Sequence, residues 1–403
     1  MARKTKKLKF GVAVFTAILC LIIGAVAGIA GNIYLFNETY EIPAKVEAST
    51  SIATGSIDVD VVKSQELSIH FIELGNKYTG DCTLIKVGDV EILIDAGSRA
   101  TSIEPIYNYV SQYVEGELDF VIVTHAHQDH YAGFATSENV ESLFDLFDVR
   151  TIIKFSQSNQ KETAKMFNNF NREVNQTKTE KGTKVYTSLQ CYDSNSVGNV
   201  EATGEIGVHR TYNLSANVSL NILYQEYYEE PAHSENDYSV CCMINQQNTN
   251  YYLFTGDLEE DGEESLVENY EQDYGVNEQP VALYKAGHHG SKTSSSETLL
   301  NFFKPDVVCV CCCAGSSEYT SKNENQFPTQ QFIDRIALHT DQVFVTTLCL
   351  DYNNGSFTSL NGNIVVYSNA EKQVIVACAN NNTLLKDTDW FKANRTCPDA
   401  WKN

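Results

Sequence analysis

Cations are scarce in this chain: 29 Lys and Arg stand against 52 Asp and Glu, a formal balance of −23. Five of the 29, Arg3, Lys4, Lys6, Lys7 and Lys9, precede residue 10, so the rest of the chain carries 24 cations against 52 anions, about −28. A surface of that sign repels polyanions and argues against salt-driven, non-specific binding to nucleic acid, which depends on clustered Lys and Arg. Charge of either sign is missing altogether from Phe10 to Asn37. An apolar helix of roughly 20 residues crosses the hydrocarbon of a bilayer, whereas the apolar core of a cleavable leader is about 7 to 15 residues. The run exceeds the second figure, so residues 1–37 are expected to be a basic N-terminus and a transmembrane anchor. Ala25-Val26-Ala27 has the look of a cleavage site and keeps a secreted, leader-cleaved form as the alternative. In both cases the preceding cations stay cytoplasmic and the bulk of the chain faces outward, giving a single-pass protein of the cell membrane with an extracytoplasmic domain.

No zinc-ribbon spacing occurs among the twelve cysteines, and no internal repeat is evident. Cys309, Cys311, Cys312 and Cys313 fall in Val-Val-Cys-Val-Cys-Cys-Cys, and Cys241 and Cys242 in Tyr-Ser-Val-Cys-Cys-Met-Ile. Both runs read as buried strands in which free thiols pack as small hydrophobes. Pairing among Cys191, Cys349, Cys378 and Cys397 stays open.

With 42% hydrophobic and 20% charged residues the chain is globular. Residues 38–66 are short on aromatics and read as a stalk or linker. From Leu67, three β-rich runs separated by glycine-containing turns predict an antiparallel meander, followed by a helix around 103–114 and a buried strand, Leu-Asp-Phe-Val-Ile-Val-Thr, that ends at a histidine cluster. Further strands are expected near 150–155, 218–224, 238–244, 250–256, 281–286, 306–313 and 342–347, and helices near 136–147, 260–270, 296–303 and 328–339. Strand runs interspersed with a few helices predict an α+β domain over 67–380, two sheets with helices outside them. Within it, 156–215 is polar and weakly periodic and reads as a surface excursion or lid. Residues 381–403 read as a loosely packed polar tail.

Three stretches carry chemistry. Thr124-His125-Ala126-His127-Gln128-Asp129-His130 places three of only nine histidines, with a carboxylate, directly after an apolar strand. Imidazole nitrogen and carboxylate oxygen are ligands for zinc and other first-row divalent metals. Tyr251-Tyr252-Leu253-Phe254-Thr255-Gly256-Asp257 is a strand that ends by presenting a carboxylate. Lys285-Ala286-Gly287-His288-His289-Gly290-Ser291-Lys292-Thr293-Ser294 again places histidines at a strand end, followed by hydroxyls and a lysine. Ser291, Lys292 and Thr293 offer donors for a phosphate; alternatively they cap a helix that starts near Ser296.

In that order, HxHxDH, strand-Gly-Asp and His-His-Gly-Ser-Lys-Thr-Ser resemble the metallo-β-lactamase superfamily. More narrowly they resemble the hydrolase domain of the ComEC-type competence proteins and its stand-alone relatives. Ile69-His70-Phe71-Ile72-Glu73-Leu74-Gly75 with Gly80-Asp81, and Ile92-Leu93-Ile94-Asp95-Ala96-Gly97, resemble that group's opening strands, so the likeness covers roughly residues 67–370. It implies an αββα four-layer sandwich and two divalent metal ions, zinc or manganese. His125 and His127 would bind one ion, and Asp129 and His130 the other, completed by one of His288 and His289, with His288 favoured as the first residue beyond the strand. Asp257 would bridge the two ions, and Asp129 and Asp257 would also orient the hydroxide. His289 would touch the scissile group or donate a proton, and Asp81 and Asp95 would orient the metal-binding loops. Many members of the superfamily supply one more histidine before the bridging aspartate. His233 is the better placed candidate here, while Asn236 and Ser239 match the Asn and Ser of the ComEC-like group. Asn76-Lys77-Tyr78-Thr79 lengthens the turn before Gly80-Asp81.

The leading expectation is therefore a membrane-anchored, extracytoplasmic dinuclear hydrolase acting on a phosphodiester, with nucleic acid or a nucleotide as substrate. The alternatives are an enzyme of the same fold that opens a lactone, thioester or β-lactam, and a non-catalytic surface binding module. One fold hosts many activities, so the pattern is more specific for fold than for substrate.

Overall fold

The computed structural model describes residues 57–368 and 373–402. The anchor expected at 10–37 and most of the 38–66 stalk lie outside them; among the described residues no helix is long and apolar enough to cross a membrane. The strands, in chain order, are β1 (Leu67–Phe71), β2 (Thr83–Val87), β3 (Val90–Ile94), β4 (Glu117–Val123), β5 (Asp148–Lys154), β6 (Lys184–Thr187), β7 (Val197–Asn199), β8 (Thr211–Asn213), β9 (Val218–Leu223), β10 (Cys241–Gln246), β11 (Asn250–Phe254), β12 (Leu283–Lys285), β13 (Val307–Ala314), β14 (Val343–Asp351), β15 (Ser356–Ser359), β16 (Ile364–Ser368) and β17 (Val374–Cys378). They form two mixed sheets. One is ordered β17-β16-β1-β2-β3-β4-β5-β6 and the other β15-β14-β13-β12-β11-β10-β9-β8-β7.

Strand alternation explains how the sheets stack. In β10, β11 and β13, Cys242, Ile244, Tyr252, Phe254, Cys309 and Cys311 pack into one core with the residues of the first sheet, and Phe71 of β1 stacks on Phe254 with ring centroids 6.5 Å apart. Their sequence neighbours Cys241, Met243, Leu253, Val308, Val310 and Cys312 face the other way. They pack with Leu266, Leu299, Phe303, Phe332 and Ile336, from helices Glu260–Tyr274, Glu297–Phe303 and Gln330–Ile336. Ile106, Val110, Phe144 and Phe170, from helices Ile103–Val110, Leu143–Leu146 and Lys165–Glu180, cover the first sheet's far side. Successive residues thus serve two different apolar layers, which is why these strands read as unbroken apolar runs. The described cysteines are free and most are buried, as expected for core filling.

The meander β1-β2-β3 is antiparallel as predicted. Four expectations differ from what is observed. The stretch 156–215 is not a loose excursion: it supplies helix Lys165–Glu180, β6 at one end of the first sheet, and β7 and β8 at one end of the second. Its inner helical face is Phe170, Glu173, Val174 and Thr177, spaced as a helix requires but half polar. Glu173 is satisfied there by Arg172 at 2.6 Å and Ser142 at 3.2 Å. The C-terminal tail is docked, with Leu385, Phe391 and Trp401 buried in the outer core. The end of the expected stalk is helical, Val59–Lys63, capped by Asp58 and anchored by buried Val62. Finally, the helix expected over 136–147 is only Leu143–Leu146.

Candidate metal centre

β4, β11 and β12 all end on the same side of the molecule and deliver the three motifs to one place. Past β4, Thr124 donates to both oxygens of Asp95, from its N–H at 2.9 Å and its hydroxyl at 2.8 Å. Asp95 thereby fixes the start of the histidine loop, and its Oδ2 takes the Nδ1 side of His130 at 2.7 Å. With Nδ1 so engaged, His130 turns Nε2 to Asp257 Oδ2 at 3.0 Å. Past β11 the chain must pass very close to its neighbours. Gly256 has φ 58°, and a Cβ there would meet Ser239 Oγ at 2.8 Å and Thr124 Cβ at 3.0 Å. The next residue, Asp257, donates its N–H to Ser239 Oγ at 3.0 Å.

The turn after β12 decides between the two adjacent histidines. His288 and His289 both have positive φ, 45° and 55°, an uncommon and strained backbone for residues with a Cβ. This reversal buries His289 and leaves the His288 side chain 21% exposed. His289 donates from Nδ1 to Cys311 O at 2.9 Å, so Nε2 points inward, 3.3 Å from both Asp129 Oδ2 and Asp257 Oδ2. The expectation that His288 joins the cluster and His289 stands beside it is therefore reversed in the structure. His288 turns to the rim, its Nδ1 3.0 Å from Thr293 Oγ1, 3.4 Å from Asn236 and 3.5 Å from Glu259.

Asp81, His130, Asp257 and His289 each offer a donor atom, all within 4.8 Å of one another. The ring sides sort them further. Asp81 lies on the Nδ1 sides, 3.2 Å from His289 and 3.7 Å from His130, and pairs with buried Lys285. Asp129 and Asp257 lie on the Nε2 side of His289, and Asp257 on that of His130. The inward set is thus Asp129, His130, Asp257 and His289, with Asp81 and Asp95 behind the rings, where they orient without facing the centre. His125 and His127 sit alongside, His125 Nε2 3.1 Å from His127 Nδ1 and its ring 4.2 Å from that of His130.

Electrostatics fit a cation. Burial opposes charge on every group, yet the Asp257 and Asp95 carboxylates push His130 up to about 10, and Asp257 and Asp81 raise His289. Burial likewise works to raise Asp129, but the neighbouring His289 and His130 outweigh it and hold its carboxyl below the usual range. His125 is held neutral, chiefly by burial and then by His130. Protons thus occupy electron pairs for which a divalent cation competes. His289 Nε2 and Asp81 Oδ1 are buried without a hydrogen-bond partner, although carboxylate or imidazole atoms lie within ion-pair distance. An inward-facing nitrogen in that state suits a ligand.

Other expected residues lie elsewhere. His233 is exposed and outside the cluster. Ser239 and Asn236 lie beside the cluster instead, Ser239 Oγ 3.4 Å from His125 Nδ1, and Asn236 Oδ1 buried and unpartnered. Ser291 and Thr293 bond to one another at 3.1 Å, and Lys292 reaches Asn325 at the rim. The helix cap falls to Ser296, which accepts from Leu299 N.

Sequence reasoning missed Lys285, Tyr319, Glu235 and Glu259. Lys285 stood inside a quoted motif, and a lysine in an apolar strand was itself the signal. Tyr319, which donates to Asp129 Oδ2 at 2.6 Å, lies in a loop without pattern, and Glu235, which accepts from Ala126 N at 3.2 Å, opens the short 3-10 helix Glu235–Tyr238 next to Asn236. Glu259 follows the Gly-Asp turn and meets the motifs only in space.

Residues 75–138 match the model of the metallo-beta-lactamase superfamily. Over 96 residues the chain is 38% identical to the competence protein ComA of Neisseria gonorrhoeae, which covers 24% of this chain and 12% of ComA. The chain therefore spans only about an eighth of that relative's length. Among solved structures, the metallo-beta-lactamase fold protein YhfI of Bacillus subtilis aligns at TM-score 0.38 and 11% identity over 73% of this chain and 99% of its own. A long-form RNase Z from yeast aligns at 0.33 and 12% over 62% and 38%. With its motifs in order at the strand ends of two sheets, the chain carries a segment that matches the metallo-beta-lactamase superfamily and is similar there to a competence protein.

Proposed function

We propose that this protein is a metal-dependent hydrolase that holds two divalent cations, zinc or manganese, and cleaves a phosphodiester of a nucleotide or nucleic acid. The observation that carries the reading is the buried set Asp129, His130, Asp257 and His289, converging with His125 and His127 from three distant stretches. Asp129 Oδ2, His130 Nε2, Asp257 Oδ2 and His289 Nε2 would hold one ion; His125 and His127 would hold the other, with Asp257 shared. When bound there, such ions would supply Lewis acidity that makes water a nucleophile near neutral pH and offsets charge on the phosphoryl oxygens.

The chain's own residues do the rest. Asp95 and the Cys311 carbonyl fix the tautomers of His130 and His289, and Lys285 holds Asp257 from behind through its Oδ1 at 3.5 Å. His288 takes the proton-donor role. Its Nδ1 is engaged with Thr293 and lies beside Glu259, so proton exchange with a leaving oxygen runs through Nε2. Ser291, Lys292 and Thr293, which follow it in the chain, offer donors for a phosphate oxygen. Outside this domain, the charge-free run 10–37 behind five cations supports a membrane anchor with the site facing outward.

Purified protein loaded with manganese or zinc should hydrolyse bis-p-nitrophenyl phosphate, and His127→Ala should lose about two orders of magnitude or more in rate. Equal rates in the two proteins would end the proposal. Turnover of a lactone, thioester or β-lactam in preference to the diester would move it to another substrate of the same fold.

A further inference from the structure

Segment 315–327, between β13 and helix Gln330–Ile336, touches the centre from its solvent side. Tyr319 donates its hydroxyl to Asp129 Oδ2 at 2.6 Å while the residue as a whole stays 55% exposed. That oxygen is the same one that lies 3.3 Å from His289 Nε2. The neighbouring Glu318 pins the segment to the turn before Asp81, accepting from Thr79 N at 2.9 Å and Arg99 Nη2 at 2.8 Å. The same turn is tied to the histidine loop by Asp81 N, which donates to Asp129 O at 3.0 Å. Phe327 packs at the segment's other end, its ring 5.8 Å from Tyr319 and 5.9 Å from His289.

A carboxylate oxygen has two lone pairs, and a charge-assisted O–H···O bond at this length is among the stronger ones available to a side chain. It stops Asp129 from rotating and leaves the second lone pair of Oδ2 for the inward side. Little in the packing requires it, since the ring is largely in solvent. We propose that Tyr319 is a positioning residue of the metal centre, holding Asp129 Oδ2 at the angle that a divalent cation needs. This rests on the hydrolase reading above, but its main test does not need turnover.

In the full chain, Tyr319→Phe keeps the ring and its packing on Phe327 and removes only the hydroxyl. Manganese affinity is measured by competition with a chelator, next to the thermal midpoint and to kcat and KM on bis-p-nitrophenyl phosphate. Tyr319→Phe should melt with the wild-type protein, bind manganese about tenfold more weakly or worse, and, when saturated with metal, lose kcat with KM little changed. A folded Tyr319→Phe protein with wild-type manganese affinity overturns the role of Tyr319 and leaves the hydrolase reading standing. Wild-type protein that takes up neither manganese nor zinc overturns both.

Discussion

Lys285 is 3% exposed and surrounded by acceptors: Asp81, the Gly256 carbonyl at 3.2 Å and Asp257 Oδ1 at 3.5 Å. Burial alone would lower its pKa, but Asp81 and then Asp257 more than offset this and raise it, so the ammonium persists. Removing it strands Asp81 in the interior, and breaking such a buried pair costs about 3–5 kcal/mol. Lys285→Met should therefore lower the thermal midpoint sharply, and Lys285→Met with Asp81→Asn should recover a good part of the loss. A double variant as unstable as the sum of the singles would mean that the two are not coupled. His70 tests the core away from the centre. It is buried between Tyr109 at 3.0 Å and Ser68 at 2.8 Å, with the Tyr113 ring at 4.4 Å. Burial, and then the charge of Lys86, depress it to about 3. The fold therefore binds fewer protons than the unfolded chain between about pH 6.5 and 3, and stability present above that window is lost as pH falls through it. Between about pH 7 and pH 4.5 this amounts to about 2–3 kcal/mol, and His70→Gln should flatten that part of the denaturant-midpoint curve. An unchanged slope would contradict a neutral His70. The adjacent histidines 288 and 289 mark the limit of reading by residue: nothing in the letters His-His separates them, because the left-handed turn that points one inward and one outward is a property of backbone angles.

Among elements, the legible ones were those with a strong period. β1 to β5 and β9 to β14 followed from apolar runs and bounding turns, and the strand-end positions of the motifs followed with them, because a strand that ends in a ligand has the same signature wherever it packs. Helix Lys165–Glu180 was illegible for a physical reason: its fully buried positions are two apolar side chains, Phe170 and Val174, and two satisfied polar ones, Glu173 and Thr177, while Met166 and Phe167 pack only partly buried. The tail was missed in the same way, since Leu385, Phe391 and Trp401 are too widely spaced in sequence to show a period. Phe170 packs with Tyr131, in the turn that carries Asp129 and His130, at a ring distance of 5.2 Å. Phe170→Ala should cost about 3–4 kcal/mol on chemical denaturation. A loss below about 1 kcal/mol would return 156–215 to the status of a peripheral excursion.

For the whole molecule, the centre is a small island of compensated charge in a strongly acidic protein, with net charge −23 and, past residue 10, only 24 Lys and Arg against 52 Asp and Glu. The proposed substrate must then be held by the metal ions and the few rim cations, not by a basic surface. Cells expressing the chain with its N-terminus intact should retain it in the membrane fraction, released by detergent and not by salt. Intact N-terminus in the soluble fraction would contradict the anchor. The central claim, that imidazoles and carboxylates from three distant stretches form one cation site, is tested most directly by metal content per chain in the wild-type, His288→Ala and His289→Ala proteins. The account predicts about two equivalents in the wild type, an unchanged content in His288→Ala and a loss of about one equivalent in His289→Ala. Less than one equivalent in the wild type, or metal lost from His288→Ala and kept by His289→Ala, would contradict it.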